Sequence, residues 1–435
     1  MRNFKEVFLI ILIVALGGFL RLYKLDQVPS GFYVDEAAIG YNSWSLLETG
    51  KDEFGKSFPI VLRSFGTFPP SLYAYLTMLP IWAFGVNVFS VRLVAAISGV
   101  LLIIITYFIL KKLDIFQYKA TPILGAFLFA IAPWTIFFSR GILEPNLGFL
   151  FIASSILFFL LAGKNGKWLF PAAIELALST YAYPAARLTS YILFAGFIFL
   201  LPKTKKTIVA ISIFLFLIVQ IPLLSISTTP AFTIRAQGLF YKEAIESTAG
   251  KIPLLPKTIS LPIAFTREFS SQFMAYLSPR NLFFEPDPDP QRSIPQLSSF
   301  YFWLVIPYLV GVFYVISRFR EKQIQYIFLM LIAAIVPAAL TRDPFSTSRA
   351  LPLVLPLTII ILLGIEGFRK NWLLLGIFLV PFSLLLLWRS YFAFLPYERA
   401  QAWSYGFEQL ASEIRNRPND KFLIDQTRIK PAYIE

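Results

Sequence analysis

The feature that most constrains this chain is a series of uncharged apolar stretches, each near the length that crosses a bilayer as a helix. Residues 93–110, 120–139, 145–163, 323–341 and 371–388 contain no Asp, Glu, Lys or Arg. A span takes about 20 such residues, and in hydrocarbon only a helix or a closed barrel satisfies its own backbone polar groups. With 57% hydrophobic and 15% charged residues and a mean hydropathy of +0.67, the chain carries more apolar surface than a soluble core can use. The expected class is an all-α polytopic membrane protein.

Charge then orients the spans. The net charge of +14 would suggest nucleic acid in a soluble domain, but here the cations sit in short loops between apolar segments. Arg2 and Lys5, Lys111, Lys112 and Lys119, Lys164 and Lys167, Lys203, Lys205 and Lys206, Arg318, Arg320 and Lys322, and Arg369 and Lys370 all become cytoplasmic under one topology. That topology needs residues 64–91 not to cross. The Phe68-Pro69-Pro70 start and Pro80 make this block a poor straight span, so residues 69–84 are expected as a helix in the outer leaflet. About twelve apolar segments then give about eleven spans, with the N-terminus cytoplasmic and the C-terminus outside. Residues 7–20 lack a cleavage pattern before Arg21 and read as a retained first span.

The expected organisation is a transmembrane domain over residues 1–388, with outer loops at 26–91 and 227–296, followed by an outer tail at 389–435. The segment 421–425 looks like the start of a strand, and the tail is expected to be part of a small soluble outer domain. The chain has no histidine and no cysteine, which excludes imidazole bases, thiolate nucleophiles, disulfides and His-bound metals. Acid-base chemistry falls to carboxylates, Lys or Tyr.

Asp35 and Glu36 follow the first span, at the head of a segment whose Ala38, Ile39, Trp44, Leu46 and Leu47 suit an amphipathic helix on the membrane surface. Two readings stand. Acidic residues in a first helical turn complement the helix dipole. Alternatively, one carboxylate acts as a general base on an acceptor hydroxyl, while repulsion between neighbours divides their roles.

Four motifs in order, Val34-Asp35-Glu36-Ala37, Phe68-Pro69-Pro70-Ser71-Leu72-Tyr73, Ser90-Val91-Arg92-Leu93 and Ser139-Arg140-Gly141-Ile142-Leu143-Glu144-Pro145, resemble the protein O-mannosyltransferase and aminoarabinose-transferase group of GT-C glycosyltransferases. The resemblance implies eleven or more spans and surface helices in the first outer loop. It puts Asp35 in the place of the catalytic acid, with Glu36 beside it, and matches Arg92 and Arg140 to arginines at outer span ends. Glu144 stands where many members have Asp, and Pro69 and Pro70 support the site. Ser346-Thr347-Ser348-Arg349-Ala350-Leu351-Pro352 resembles the family's Arg-Tyr-Leu-x-Pro turn without its Tyr.

A lipid phosphate leaving group needs cations near the outer interface, and Arg92, Arg140, Arg187 and Arg349 are all expected there, since the planar guanidinium can hold two phosphate oxygens. Single arginines at span ends also snorkel to headgroups. Glu175 lies mid-span, where it could line a donor cavity or be protonated and bonded to a neighbouring helix. Asp287 and Asp289 alternate with prolines in a pattern that reads as a solvated linker rather than a calcium loop. No cofactor is required, and a divalent cation on carboxylates alone is not indicated.

The expected function is inverting transfer of a sugar from a polyprenyl-phosphate donor to a hydroxyl of a lipid, glycan or protein acceptor, at the outer face of the plasma membrane and without nucleic acid. A polysaccharide polymerase or ligase is an alternative that would place its chemistry in the long loop, near Arg235 and Arg267. A lipid-linked-sugar flippase is another, though the chain shows no internal repeat.

Overall fold

The computed structural model describes residues 2–64, 67–141, 143–201, 204–229, 232, 240–252 and 255–423, with the backbone alone at 2, 3, 143, 369–375 and 377. Arg235 and the end of the strand-like segment at 421–425 therefore lie outside the described residues, and residues 421–423 take no regular structure. The fold is 71% helix, and among the described residues there is no strand.

The first half runs α1 (Arg2–Leu22), α2 (Val34–Thr49), α3 (Leu72–Phe84), α4 (Val88–Leu113), α5 (Thr121–Ile131), α6 (Pro133–Phe138), α7 (Leu143–Ala162), α8 (Leu169–Ala182), α9 (Pro184–Leu200) and α10 (Lys206–Ser225). The second half runs α11 (Lys242–Gly250), α12 (Lys257–Ala275), α13 (Val305–Ser317), α14 (Lys322–Ala339), α15 (Val354–Gly367), α16 (Arg369–Leu387), α17 (Leu395–Glu398) and α18 (Phe407–Asn416). Five helical segments, Val88–Leu113, Glu144–Ala162, Lys206–Ser225, Lys322–Ala339 and Phe378–Glu398, are long and apolar enough to cross a membrane. This is a multi-pass membrane protein.

Local signals set the helix limits. Asn87 caps α4 by accepting the Ser90 N–H at 2.9 Å, and Lys111 and Lys112 occupy its last turn, where cations complement the dipole. Gly50, at a φ of 69°, ends α2 in the left-handed conformation that glycine adopts without strain. Proline at the first position of α9 needs no hydrogen bond there. Beside the basic end of α4, Lys111 pairs with Glu6 at 2.6 Å, and Glu366 accepts the Gln117 and Tyr118 N–H groups, each at 3.0 Å.

The loop between α1 and α4 folds onto the bundle. Tyr73 of α3 inserts its hydroxyl into the ladder of α4, donating to the Val91 carbonyl at 2.8 Å and accepting the Ala95 N–H at 3.0 Å. The expected membrane-facing apolar side of α2 is corrected by the packing. Ile39 and Leu46 are buried against Tyr73, Ala74 and Val91, because α3 and α4 offer them a protein surface, and Trp44 and Tyr41 are the exposed aromatics.

Helices α13 and α15 meet with almost no side chain between them. A Cβ on Gly311 would lie 1.8 Å from the Ile360 carbonyl oxygen, and one on Gly364 would lie 1.8 Å from that of Pro307. Small residues that let backbones touch are a main source of helix association in lipid. Gly364→Ala is therefore expected to force the pair apart and destabilise the fold by about 1–3 kcal/mol. Gly376→Ala, where nothing lies within 4 Å, should not. Thermal unfolding of the two variants in detergent checks the contrast, and equal melting points would refute it.

Candidate functional site

Three arginines, Arg21, Arg92 and Arg140, are completely buried at the junction of the first loop with the bundle. Arg92 donates from Nη1 to the carbonyls of Leu25 (3.1 Å) and Pro29 (3.0 Å), and from Nη2 to that of Gly31 (2.6 Å). Its Nε and Nη2 also hold the two carboxylate oxygens of Glu36 at 3.0 and 2.9 Å. Arg140 takes the carbonyls of Leu20, Lys24 and Val28 at 3.0–3.1 Å. Arg21 reaches Ala130 at 2.9 Å, Thr135 at 3.0 Å and Ser139 at 3.2 Å. Arg92 and Arg140 thus tie down the chain between α1 and α2 through its carbonyls, while Arg21 ties the end of α1 to the α5–α6 junction.

Glu36 closes the arrangement. Besides pairing with Arg92 it accepts the Tyr33 N–H at 3.1 Å, the backward reach of an acidic residue at the third position of a helix. Its carboxylate is spent on structure and lies outside the cavity described next. Asp35, one residue earlier, faces the other way and lines that cavity.

The cavity has a volume of about 610 Å³. The charged residues of its lining are Asp35, Glu144, Arg187, Asp289, Arg292 and Arg349. Phe68, Tyr183, Leu188, Tyr191, Phe240 and Leu340 form an apolar flank. A mostly apolar pocket with a few converging charged groups is the usual form of a ligand site. The break between α8 and α9 supplies one side: Tyr183 is extended, Pro184 restarts the helix, and Arg187 follows within its first turn. The Arg187 guanidinium lies 4.3 Å from the centre of the Phe232 ring, near enough for a cation–π contact.

Two arginines of the lining share one carboxylate. Asp343 Oδ2 lies 2.8 Å from Arg349 Nη1 and 3.3 Å from Arg292 Nη1. Arg349 also donates to Thr341 Oγ1 at 2.9 Å. Burial raises the Asp343 pKa, but Arg349 and Arg292 outweigh it and hold the carboxyl below its usual range. Asp287 accepts from the Thr347 N–H and hydroxyl at 2.8 and 2.7 Å and pairs with Arg292 at 3.3 Å; burial pushes its carboxyl up.

The solvated-linker expectation for Asp287 and Asp289 is therefore corrected. Asp287 is 4% exposed, and the alternating prolines present it to Thr347 and Arg292 while Asp289 turns to the cavity. Among the residues expected at the site, Asp35, Glu144, Arg187 and Arg349 share one cavity. Glu36, Arg92 and Arg140 do not line it: Glu36 and Arg92 pair with each other, and Arg92 and Arg140 hold backbone carbonyls. Pro69 and Pro70 stand behind Phe68, with Pro69 accepting the Leu62 N–H at 2.9 Å. Glu175, half-buried in α8, and Arg267, exposed on α12, are also outside the lining. Arg292, Asp289 and Asp343 were missed; an Arg three residues after Asp289 was the available signal.

No family model matches the chain, and no curated protein matches it. Solved structures do. Oligosaccharyltransferase AglB from Archaeoglobus fulgidus, in complex with an inhibitory peptide and a dolichol-phosphate, superposes with a TM-score of 0.54 at 14% identity. The match covers 99% of this chain and 61% of AglB. ArnT from Cupriavidus metallidurans bound to undecaprenyl phosphate gives a TM-score of 0.53 at 15% identity, over 94% of this chain and 72% of ArnT. The fold is therefore shared with AglB and ArnT. At this identity the likeness establishes the fold alone, and the chain spans about 61% of the length of AglB.

Arg92→Met should leave Glu36 buried without its partner and cost about 3–5 kcal/mol, part of it recovered in the Arg92→Met/Glu36→Gln double variant. Thermal unfolding of the cycle checks this. A depressed folded-state pKa contributes stability that is present above the unfolded value, about 3.9, and lost as pH falls through the folded one. Asp343→Asn should thus lower the melting point at pH 7, with the difference from wild type closing only below about pH 4. A difference that instead grows as pH falls from 7 to 4 would contradict the pairing.

Proposed function

We propose that this chain is a membrane glycosyltransferase that moves a sugar from a polyprenyl-phosphate donor to an acceptor hydroxyl, with inversion, at the outer face of the plasma membrane. The observation that carries this reading is the single cavity in which Asp35 and three arginines converge beside an apolar flank. About eleven spans with a cytoplasmic N-terminus would put that cavity at the outer interface. AglB in complex with a dolichol-phosphate and ArnT bound to undecaprenyl phosphate support a lipid-phosphate donor.

In the proposed reaction Asp35 takes the proton of the acceptor hydroxyl as its oxygen bonds to the anomeric carbon. The bond from that carbon to the phosphate oxygen breaks, and polyprenyl phosphate leaves with the electron pair. Arg187, Arg292 and Arg349 stabilise the charge that gathers on the leaving phosphate, where bidentate guanidinium contacts are strongest. Glu144, on the same wall, faces the sugar or acceptor, and the aromatic flank takes the first prenyl units. Arg92 and Arg140 are given a supporting part in this scheme, fixing the loop that carries Asp35.

The polymerase or ligase alternative keeps one specific support: Phe240, Asp289, Gln291 and Arg292 of the long loop line the same cavity as Asp35. The two readings differ in product, a single transferred sugar against an extended glycan.

Asp35→Asn is expected to fold and insert but to lose about 10²–10⁴-fold in transfer. Arg349→Gln and Arg187→Gln should act mainly on donor use. Membranes carrying each variant, incubated with labelled polyprenyl-phosphate sugars and analysed for the labelled product, provide the test. Wild-type rates from Asp35→Asn would sink the assignment of the base.

A further inference from the structure

The tail beyond α16 returns to the first outer loop. A π-helical turn at Trp388–Phe394 and the short α17 carry the chain to Trp403, which is 1% exposed. Its ring meets Tyr33 edge to face at 6.3 Å and Phe137 at 6.0 Å. The Arg92 guanidinium lies 5.9 Å from the ring centre. Two glycines make the space: a Cβ on Gly141 would lie 2.3 Å from the indole ring, and one on Gly31 would lie 1.7 Å from the Trp403 carbonyl oxygen. The Ser30 hydroxyl donates to the Pro396 carbonyl at 2.7 Å, and the Gln291 amide donates to that of Ala402 at 3.0 Å.

These contacts fall on three separate walls of the cavity. Tyr33 lines it and precedes the first turn of α2, which carries Asp35. Gly141 precedes Glu144. Gln291 lines it between Asp289 and Arg292. The three walls come from regions distant in sequence, and the tail is a segment that touches all of them.

We infer that residues 388–406 form a strap that sets the walls of the cavity against one another, with Trp403 as a positioning residue for Asp35. Trp403 does not line the cavity, so it acts through Tyr33 and the head of α2. Its consequence for transfer rests on the proposed role of Asp35; its effect on geometry does not.

The absence of cysteine makes a direct test possible in the full chain. A thiol from Asp35→Cys is labelled with a maleimide in detergent micelles, alone and combined with Trp403→Ala or Trp403→Phe. Leu79→Cys, at an exposed position of α3, serves as the control. The strap predicts a several-fold change in labelling at position 35 with either Trp403 variant, smaller for Phe, and none at position 79. With Asp35 intact, Trp403→Ala should lower kcat about 100-fold while the donor KM stays within about twofold. Trp403→Phe should retain an intermediate rate.

If Trp403→Ala unfolds the chain, a thiol placed at a fully buried position, Ala153→Cys, becomes labelled as well and Trp403→Phe decides. Unchanged labelling at position 35 in a folded Trp403 variant overturns the strap. Changed labelling in the Trp403 variants, together with a wild type that consumes no polyprenyl-phosphate sugar, leaves the strap standing and removes the transferase reading instead.

Discussion

Buried guanidinium groups held by backbone carbonyls are the constraint on which the junction of the first loop with the bundle depends. An ion taken out of water costs several kcal/mol even after relaxation, and it is tolerated only where hydrogen bonds and an opposite charge replace its hydration. Arg92 meets both conditions with Leu25, Pro29, Gly31 and Glu36. The bargain is mutual, since the chain between α1 and α2 has no regular structure to satisfy its own carbonyls. Removing the arginine would orphan the loop, and removing the loop would orphan the arginine. Lysine could not substitute, because a point charge cannot serve divergent carbonyls and a bidentate carboxylate together.

Adjacency then separates two carboxylates that look equivalent in sequence. Successive residues of a helix lie about 100° apart around its axis, so fixing Glu36 inward on Arg92 turns Asp35 away from it. The division expected from mutual repulsion is achieved by direction. A capping acid placed one residue after a cavity-facing acid also keeps the second negative charge paired with its own cation. On the far wall the same economy recurs with the sign reversed. Asp343 holds Arg292 and Arg349 near one another, and two guanidiniums that would repel each other are kept together facing the cavity.

Much of this was legible in the sequence because periodicity and punctuation are local. Apolar length marked the membrane helices, the prolines at 69 and 70 marked the start of α3, and Asp35 was found by its place after the first span. The arginines show where local information ends. Arg92, Arg140, Arg187 and Arg349 all stand at helix ends beside the outer loops, and by spacing alone they are alike. Which of them turn toward a loop carbonyl and which toward a cavity depends on where the chain at 20–31 passes, a tertiary fact. Asp287 failed for the same reason: alternating prolines suggest an extended solvated segment until Thr347 and Arg292 arrive from elsewhere to bury it.

The division of labour among these arginines bears on why a fold can persist at 14–15% identity. Groups that hold the backbone of the first loop need only carbonyls, which every sequence supplies, so the clamp tolerates wide change in the side chains around it. The cavity is different. Its lining comes from loop one, the α8–α9 break, the long outer loop and the turn before α15, and specificity is set by what such walls present rather than by the scaffold. The long loop contributes two aromatics, an acid, an amide and a cation to the lining. Substitution there can alter which ligand fits while the buried arginines continue to fix where Asp35 points.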